Sequence, residues 1–257
     1  MGVILATVKK ELISYLFSPV AYVIAVVLYF ARGVEVYNLV LFAAGSHLDT
    51  TTFSSYYVVQ GNTAYFFFVL VPPILTMRCF AEEKRTGSLE VLMTAPVRDM
   101  EVVVGKWIAA CVFLALLWLP TLPILTMLSS DWMLGQTITY GIVASSYLGL
   151  FLLGSMLLAV GVFTSSLTDN VLLAAIIAMI FNVMMIMAPG FIHPRLVDWF
   201  GETYLVTAFV EQTSVFDHLR HWFGRGMIDS SKVMFYLGGC GLFLFLTVRS
   251  LESRKWQ

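Results

Sequence analysis

Ala81-Glu82-Glu83-Lys84-Arg85-Thr86-Gly87-Ser88-Leu89-Glu90-Val91-Leu92-Met93-Thr94-Ala95-Pro96 lies between two long runs that carry no charge. Thr50 to Met77 before it and Trp107 to Ser130 after it contain no Asp, Glu, Lys or Arg. A helix crosses a bilayer with about 20 mostly apolar residues, and both runs are long enough. Hydrocarbon cannot hold so dense a set of charges, so the stretch reads as a loop at one membrane face that joins two crossings.

Composition agrees. Apolar residues make up 59% of the chain and charged residues 12%, with a mean hydropathy of +0.86. A soluble protein carries about 25% charged residues, so the fold class is an all-α polytopic membrane protein. The net charge of -1 says nothing of partners, and no nucleic-acid partner is expected. Cys79, Cys111 and Cys240 stand at none of the short spacings of metal sites and read as packing residues. Lys9, Lys10 and Glu11 interrupt the N-terminus before any apolar core, and no cleavable signal peptide is expected.

Helical spacing of Val3, Ile4, Val8, Leu12, Leu16 and Phe17 predicts an amphipathic helix over 1–18 lying in the interface, ended by Ser18-Pro19. Six crossings follow: Val20 to Phe42, Ala64 to Phe80, Val102 to Leu128, Ile138 to Phe163, Val171 to Pro189 and Val233 to Arg249. Pro120 and Pro123 predict a kink in the third. With the N-terminus inside, the inner loops and ends carry ten Lys and Arg and the outer ones four, which favours both termini inside. Arg32 lies within the first crossing three residues before Glu35, and an intramembrane ion pair is the expected arrangement.

The segment 190–232 is too long for a plain turn and is expected to hold short amphipathic or re-entrant helices as an outer lid. Leu196, Trp199 and Phe200, then Val215, Leu219, Trp222 and Phe223, recur at helical spacing. Trp199, Phe200, Trp222 and Phe223 are the candidate outer gate. His218 and His221 are three apart but lack a third ligand nearby, so they read as interfacial histidines and no metal site is expected. The thirteen methionines read as adaptable packing. Tyr65, Phe66, Phe67 and Phe68 are compatible with lining a path or with facing lipid.

Within the charged stretch, Thr86-Gly87 predicts a turn, Leu89, Leu92 and Met93 share one helical face, and Pro96 ends the element. An apolar stripe in a charged loop suits a helix that docks onto a partner. Asp99 is expected to cap the third crossing, with Glu101 in its first turn.

Thr76-Met77-Arg78, the Ala81 to Glu90 run, Thr94-Ala95-Pro96-Val97 and Gly105-Lys106 resemble the second-crossing exit and cytoplasmic loop of type-2 ATP-binding-cassette exporter permeases. Within that family the likeness is to the gliding-motility-associated and nitrous-oxide-reductase-maturation branch. Lys10-Glu11-Leu12, Ser18-Pro19, Arg225 to Asp229 and Leu251 to Trp256 extend it over nearly the whole chain. Ser88 stands where threonine is more usual, and Arg32/Glu35 is unexpected in the first crossing.

The resemblance implies one transmembrane permease domain over 1–257, with an elbow helix over 1–18, six crossings, a coupling helix in the loop 81–97 and outer re-entrant helices over 190–232. Glu82, Glu83, Lys84, Arg85, Thr86, Gly87, Ser88, Leu89, Glu90, Leu92 and Pro96 would form the ATPase-coupling site. It implies two copies of a separate ATPase that bind ATP and Mg, a second permease copy or a related permease, and a bacterial inner membrane; an auxiliary periplasmic or membrane protein is a further candidate partner. The sequence holds no phosphate-binding Gly-x-x-x-x-Gly-Lys-Ser/Thr loop, so the chain is expected to be a transport subunit and not an enzyme. A passive channel or proton-coupled carrier is the alternative, disfavoured because the fourth and fifth crossings carry no acidic or basic residue. A membrane protease or lipid enzyme would have Ser145, Ser146 or Ser155 but no histidine within a crossing. The cargo is not specified by these residues.

Overall fold

A computed structural model describes residues 2–45, 58, 62–88, 98–128, 139–200, 203 and 211–254. These residues form helices and turns, with no strand among them. The chain runs through α1 (Gly2–Phe17), α2 (Pro19–Gly45), α3 (Asn62–Thr76), α4 (Ala81–Arg85), α5 (Asp99–Trp118), α6 (Thr121–Leu128), α7 (Tyr140–Leu167) and α8 (Val171–Phe200). A helical segment from Val215 to Arg225 precedes the last helix, α9 (Ser230–Arg254). Five helical stretches are long and apolar enough to cross a membrane, or six if the bent α8 is one span. The chain is therefore an all-α polytopic membrane protein.

The bundle is built around α7, which packs against α3, α5, α8 and α9. Of its apolar window 83% is buried, against 22% for α2 and for α9, so α7 is the core and the other two present their outer faces to lipid. The sequence of α7 has no charged residue and is rich in glycine and serine, which lets neighbouring helices approach closely. A Cβ on Gly149 would lie 2.7 Å from the Phe223 ring. One on Gly154 would collide with Leu114 and Phe68, and one on Gly161 with Thr76. Two helices, α3 and α5, and the segment after α8 are thereby seated along one glycine-bearing rod, about 42 Å long at 1.5 Å per residue.

Proline shapes the neighbours. Pro72 and Pro73 lie inside α3, and the hydroxyl of Thr76 donates to the Pro72 carbonyl at 2.7 Å as the helix ends. Pro120 separates α5 from α6, as expected from the sequence. Tyr65, Phe67 and Phe68 are buried, with Phe68 stacked 5.8 Å from Trp118, while Phe66 faces outward. The aromatic run thus divides into three core residues and one at the surface.

One expectation, the cap of α5, needs correction, and two elements gain detail. α8 runs on past Pro189 to Phe200 with a 51° bend between Met187 and Pro189, so its two pieces are either one broken span or a crossing followed by a re-entrant segment of the kind expected after residue 190. Pro189 stands at the bend, where its fixed φ suits the start of the second helical piece. α1 forms the expected N-terminal helix, with Val3, Ile4, Thr7, Val8, Glu11, Leu12 and Tyr15 turned toward the bundle and Leu16 and Phe17 exposed. The helix follows the narrow seam that fits α5, where Gly105 receives Thr7, and that seam leaves its last two apolar residues outside. Asp99 is not the cap of α5: Arg98 holds the extended N-cap position, with Asp99 and Glu101 in the first turn, where their charge favours the helix dipole.

Candidate functional site at the charged hairpin

After α3 the chain turns through residues 77–80 and enters α4. This turn is fixed by the far end of α7. The Ser165 hydroxyl oxygen accepts from the Phe80 and Ala81 amides at 3.0 and 3.1 Å, and its proton goes to the Met77 carbonyl at 3.1 Å. Lys84 donates to the Ser166 carbonyl. Serine suits this place because one small hydroxyl satisfies backbone groups that the turn leaves outside any helix.

The tighter restraint comes from Lys106 on α5. Its ammonium is buried and donates to Glu83 Oε1 at 2.7 Å, Glu11 Oε1 at 2.9 Å and the Cys79 carbonyl at 2.7 Å. All three ammonium protons thus have acceptors, on α1, the 77–80 turn and α4. Phe80 lies under the ammonium, 5.1 Å from ring centroid to Nζ. Lys10, exposed on α1, stands 3.9 Å from Glu83. Tyr15 adds a contact between α1 and the turn, its hydroxyl 3.4 Å from Cys79 Sγ. Burial, then the neighbouring Cys79, pushes the Tyr15 phenol well above its usual pKa, so it stays protonated. Breaking a buried ion pair by deleting one partner costs about 3–5 kcal/mol, which makes Lys106 the strongest single restraint at this end.

Beyond the knot the hairpin becomes exposed. Arg85, Thr86, Gly87 and Ser88 are at the surface. Gly87 has φ +72°, the left-handed turn expected of Thr86-Gly87. Thr86 donates to the Glu82 carbonyl at 3.0 Å and its hydroxyl lies 2.9 Å from that of Ser88. Of the expected coupling residues, Glu82 to Ser88 therefore form one element, with Glu83 and Lys84 turned inward and the rest outward. Leu89, Glu90, Leu92, Met93 and Pro96 lie outside the described residues.

At the opposite end of α7 the segment Val215 to Arg225 forms a neutral cap. Phe223 is buried against Gly149, and its carbonyl accepts from Ser145 at 2.7 Å and Ser146 at 3.3 Å. His218 is buried, with Nδ1 3.3 Å from the Tyr236 hydroxyl and Nε2 3.0 Å from the Glu211 carbonyl. Burial and then Lys232 push its pKa down to about 4, so the ring is neutral at pH 7. His221 is exposed, 3.8 Å from Asp217. The two histidines therefore play separate parts, one packed inside the cap and one at its surface. Among the expected gate residues, Trp199 is exposed, Trp222 lies 5.7 Å beneath the Lys232 ammonium and Phe223 is buried, while the Phe200 side chain and that of Leu196 lie outside the described residues.

Arg32 and Glu35 form the expected ion pair at 2.7 Å, with the arginine buried and its guanidinium 5.5 Å from the Trp118 ring. Tyr29, on the same helix, donates to the Leu117 carbonyl at 3.1 Å. The pair thus joins α2 to the end of α5. Ser145, Ser146 and Ser155 all donate to backbone carbonyls, an arrangement that packs helices.

Sequence reasoning read Lys106 and Glu11 only as boundary charges and missed their junction. A lysine inside an apolar helix, and a glutamate in register with an inward stripe, are the signals that would have revealed it.

The family model described as "ABC-2 family transporter protein" matches residues 5–256. A search of curated proteins returns no match. With membrane-crossing helices packed around a glycine-bearing core, and a match over nearly the whole length, the chain belongs to the ABC-2 transporter family, whose members are transmembrane permease subunits that generally work with an ABC ATPase.

Proposed function

We propose that the chain is the permease of an ABC exporter of the gliding-motility-associated and nitrous-oxide-reductase-maturation type, and that the charged hairpin is its coupling element. In this reading two copies of a separate ATPase, binding ATP and Mg, grip the exposed face of the 81–97 loop. A second permease copy or a related permease completes the unit in the bacterial inner membrane, with both termini in the cytoplasm.

The observation that carries this reading is the Lys106 junction, which binds the start of the loop to α1 and α5 while Arg85 to Ser88 stay exposed. A loop with no mechanical duty does not need a buried three-way ionic clamp, whereas a lever must not pivot freely at its root. Displacement of the tip by an ATPase would then move α5 and α1 together and open or close a path between paired permeases. Trp199, Phe200, Trp222 and Phe223 would gate that path at the far end. The chain itself would perform no covalent chemistry.

The test is co-purification of the detergent-solubilised permease with its ATPase. The wild type is expected to retain an ATPase, and Glu90→Lys combined with Leu92→Asp to lose it. An ATPase that stays bound and active on the double variant, or labelling that finds residue 90 on the same membrane face as Arg225, would overturn the docking role.

A further inference from the structure

One polar side chain in the apolar core of the bundle is left without a partner. Between Val171 and Met187 the buried positions of α8 are Ala174, Ala178, Asn182 and Ile186, one per helical turn, and this piece packs against α3 and α7. Asn182 is the polar member of the stripe. Neither its amide oxygen nor its nitrogen has a hydrogen-bond partner among the described residues. Hydrocarbon offers no substitute partner, so an amide held in this way destabilises the arrangement that holds it.

Acceptors stand at the same level on α3. Pro72 and Pro73 have no N–H, so the carbonyls four residues earlier, Phe68 and Val69, lose their usual helical donors. Gly154 sits against Phe68 and Gly161 against Thr76, so α3 and α7 run side by side in the same direction and Leu70 is level with Met156. After the turn at 168–170, α8 runs back along α7, and Asn182 and Met156 are equally far from that turn. Asn182 is therefore level with Leu70, and the two freed carbonyls lie within about 3 Å of that level along the axis.

We propose that α8 slides between two positions along α3 and α7, and that Asn182 tells them apart: its amide is unpaired in one and donates to a freed carbonyl of α3 in the other. A shift of about 1–2 Å is the size of helix shear in switching proteins, and it is enough to bring an amide into or out of hydrogen-bond range. The stripe suits this motion. Ala174 and Ala178 present one methyl each, and α7 is rich in glycine and serine, so small side chains leave the register free to move. The ends of α8 suit it as well, because α8 touches α4 at the hairpin end and Val215–Asp217 at the far end. A slide therefore reaches both ends of the bundle. The inference concerns the permease's own motion and rests neither on an ATPase nor on the coupling role of the hairpin.

The experiment records nuclear magnetic resonance spectra of the full chain in nanodiscs, with isotope labels on asparagine and alanine. The asparagines are Asn38, Asn62, Asn170 and Asn182, and the Asn182 side-chain amide is the signal missing from Asn182→Leu. Saturation transfer is expected to find a main signal of an unpaired amide and a minor one with the downfield proton shift of a hydrogen bond, populated at about 0.1–10%. The methyls of Ala174 and Ala178 should exchange at the same rate. Pro72→Ala combined with Pro73→Ala returns an N–H to both carbonyls, and the minor fraction should fall about tenfold. A main signal that is already hydrogen-bonded, or the absence of a minor state, would overturn the proposal. So would exchange confined to Asn182 while both alanines stay still, which is the result of a side chain rotating in a fixed helix. An unchanged minor fraction in the proline variant would remove α3 as the partner and overturn it too.

Discussion

The two ends of α7 are secured by different physics. At the charged end a buried ammonium and two carboxylates hold three segments, helped by Ser165. At the far end a neutral imidazole, a buried phenylalanine and two serine hydroxyls hold the cap. An ionic knot binds in fixed directions and fails sharply when a partner is lost, whereas a neutral packed cap can loosen by degrees. The first suits a joint that carries force, and the second a closure that opens and shuts.

The largest expected effect comes from cutting the knot. Lys106→Met should destabilise the protein by about 3–5 kcal/mol, because it leaves Glu11 and Glu83 without their buried cation. Hydrogen exchange should rise in 77–88 and α1 but not in 215–225; uniform loosening would erase the distinction between the ends. Next is the far-end contact: Gly149→Ala drives a methyl into Phe223 and should cost about 1–3 kcal/mol, with exchange rising in the cap alone.

Asn182 supplies a third test. It is buried in α8, and neither its amide oxygen nor its nitrogen has a hydrogen-bond partner among the described residues. Asn182→Leu should stabilise the protein by up to about 1–3 kcal/mol in a thermal unfolding assay, since an apolar side chain carries no desolvation penalty. A loss of stability would show that the amide has a partner outside the described residues.

A fourth test uses pH. His218 has its pKa lowered to about 4 in the folded cap, against an ordinary value near 6.5. The unfolded cap therefore binds more protons between these values. Cap stability is complete above about 6.5 and is lost progressively as pH falls toward about 4. Exchange in 215–225 should increase over this window while the Lys106 end stays protected, and His218→Gln should flatten the response.

Much of the fold was legible because charge and hydropathy act locally. The charged run between apolar stretches marked two crossings and their connection, Pro120 marked a break, and the Arg32 to Glu35 spacing marked a pair on one helix face. Gly87 was likewise readable as a turn. The knot was not, because Glu11, Glu83 and Lys106 meet only after α1 folds back onto α5, and neither local spacing nor composition encodes that juxtaposition. Pro189 marked the place of a break correctly, but local spacing does not say whether the chain there bends within one span or turns back. The histidines three residues apart looked equivalent in sequence, and only burial separates His218 from His221.

The most direct measurement of the coupling account places spin labels at Arg85→Cys and Arg225→Cys, one at each end of the bundle, with buried Cys79, Cys111 and Cys240 replaced by serine or alanine. Distances are recorded by pulsed electron resonance in nanodiscs containing the permease and its co-purified ATPase, with and without a non-hydrolysable ATP analogue. The account predicts a nucleotide-dependent shift in the Lys106 protein and its loss in Lys106→Met despite retained ATPase binding. The same shift in both proteins, or none in the Lys106 protein with ATPase bound, would contradict it.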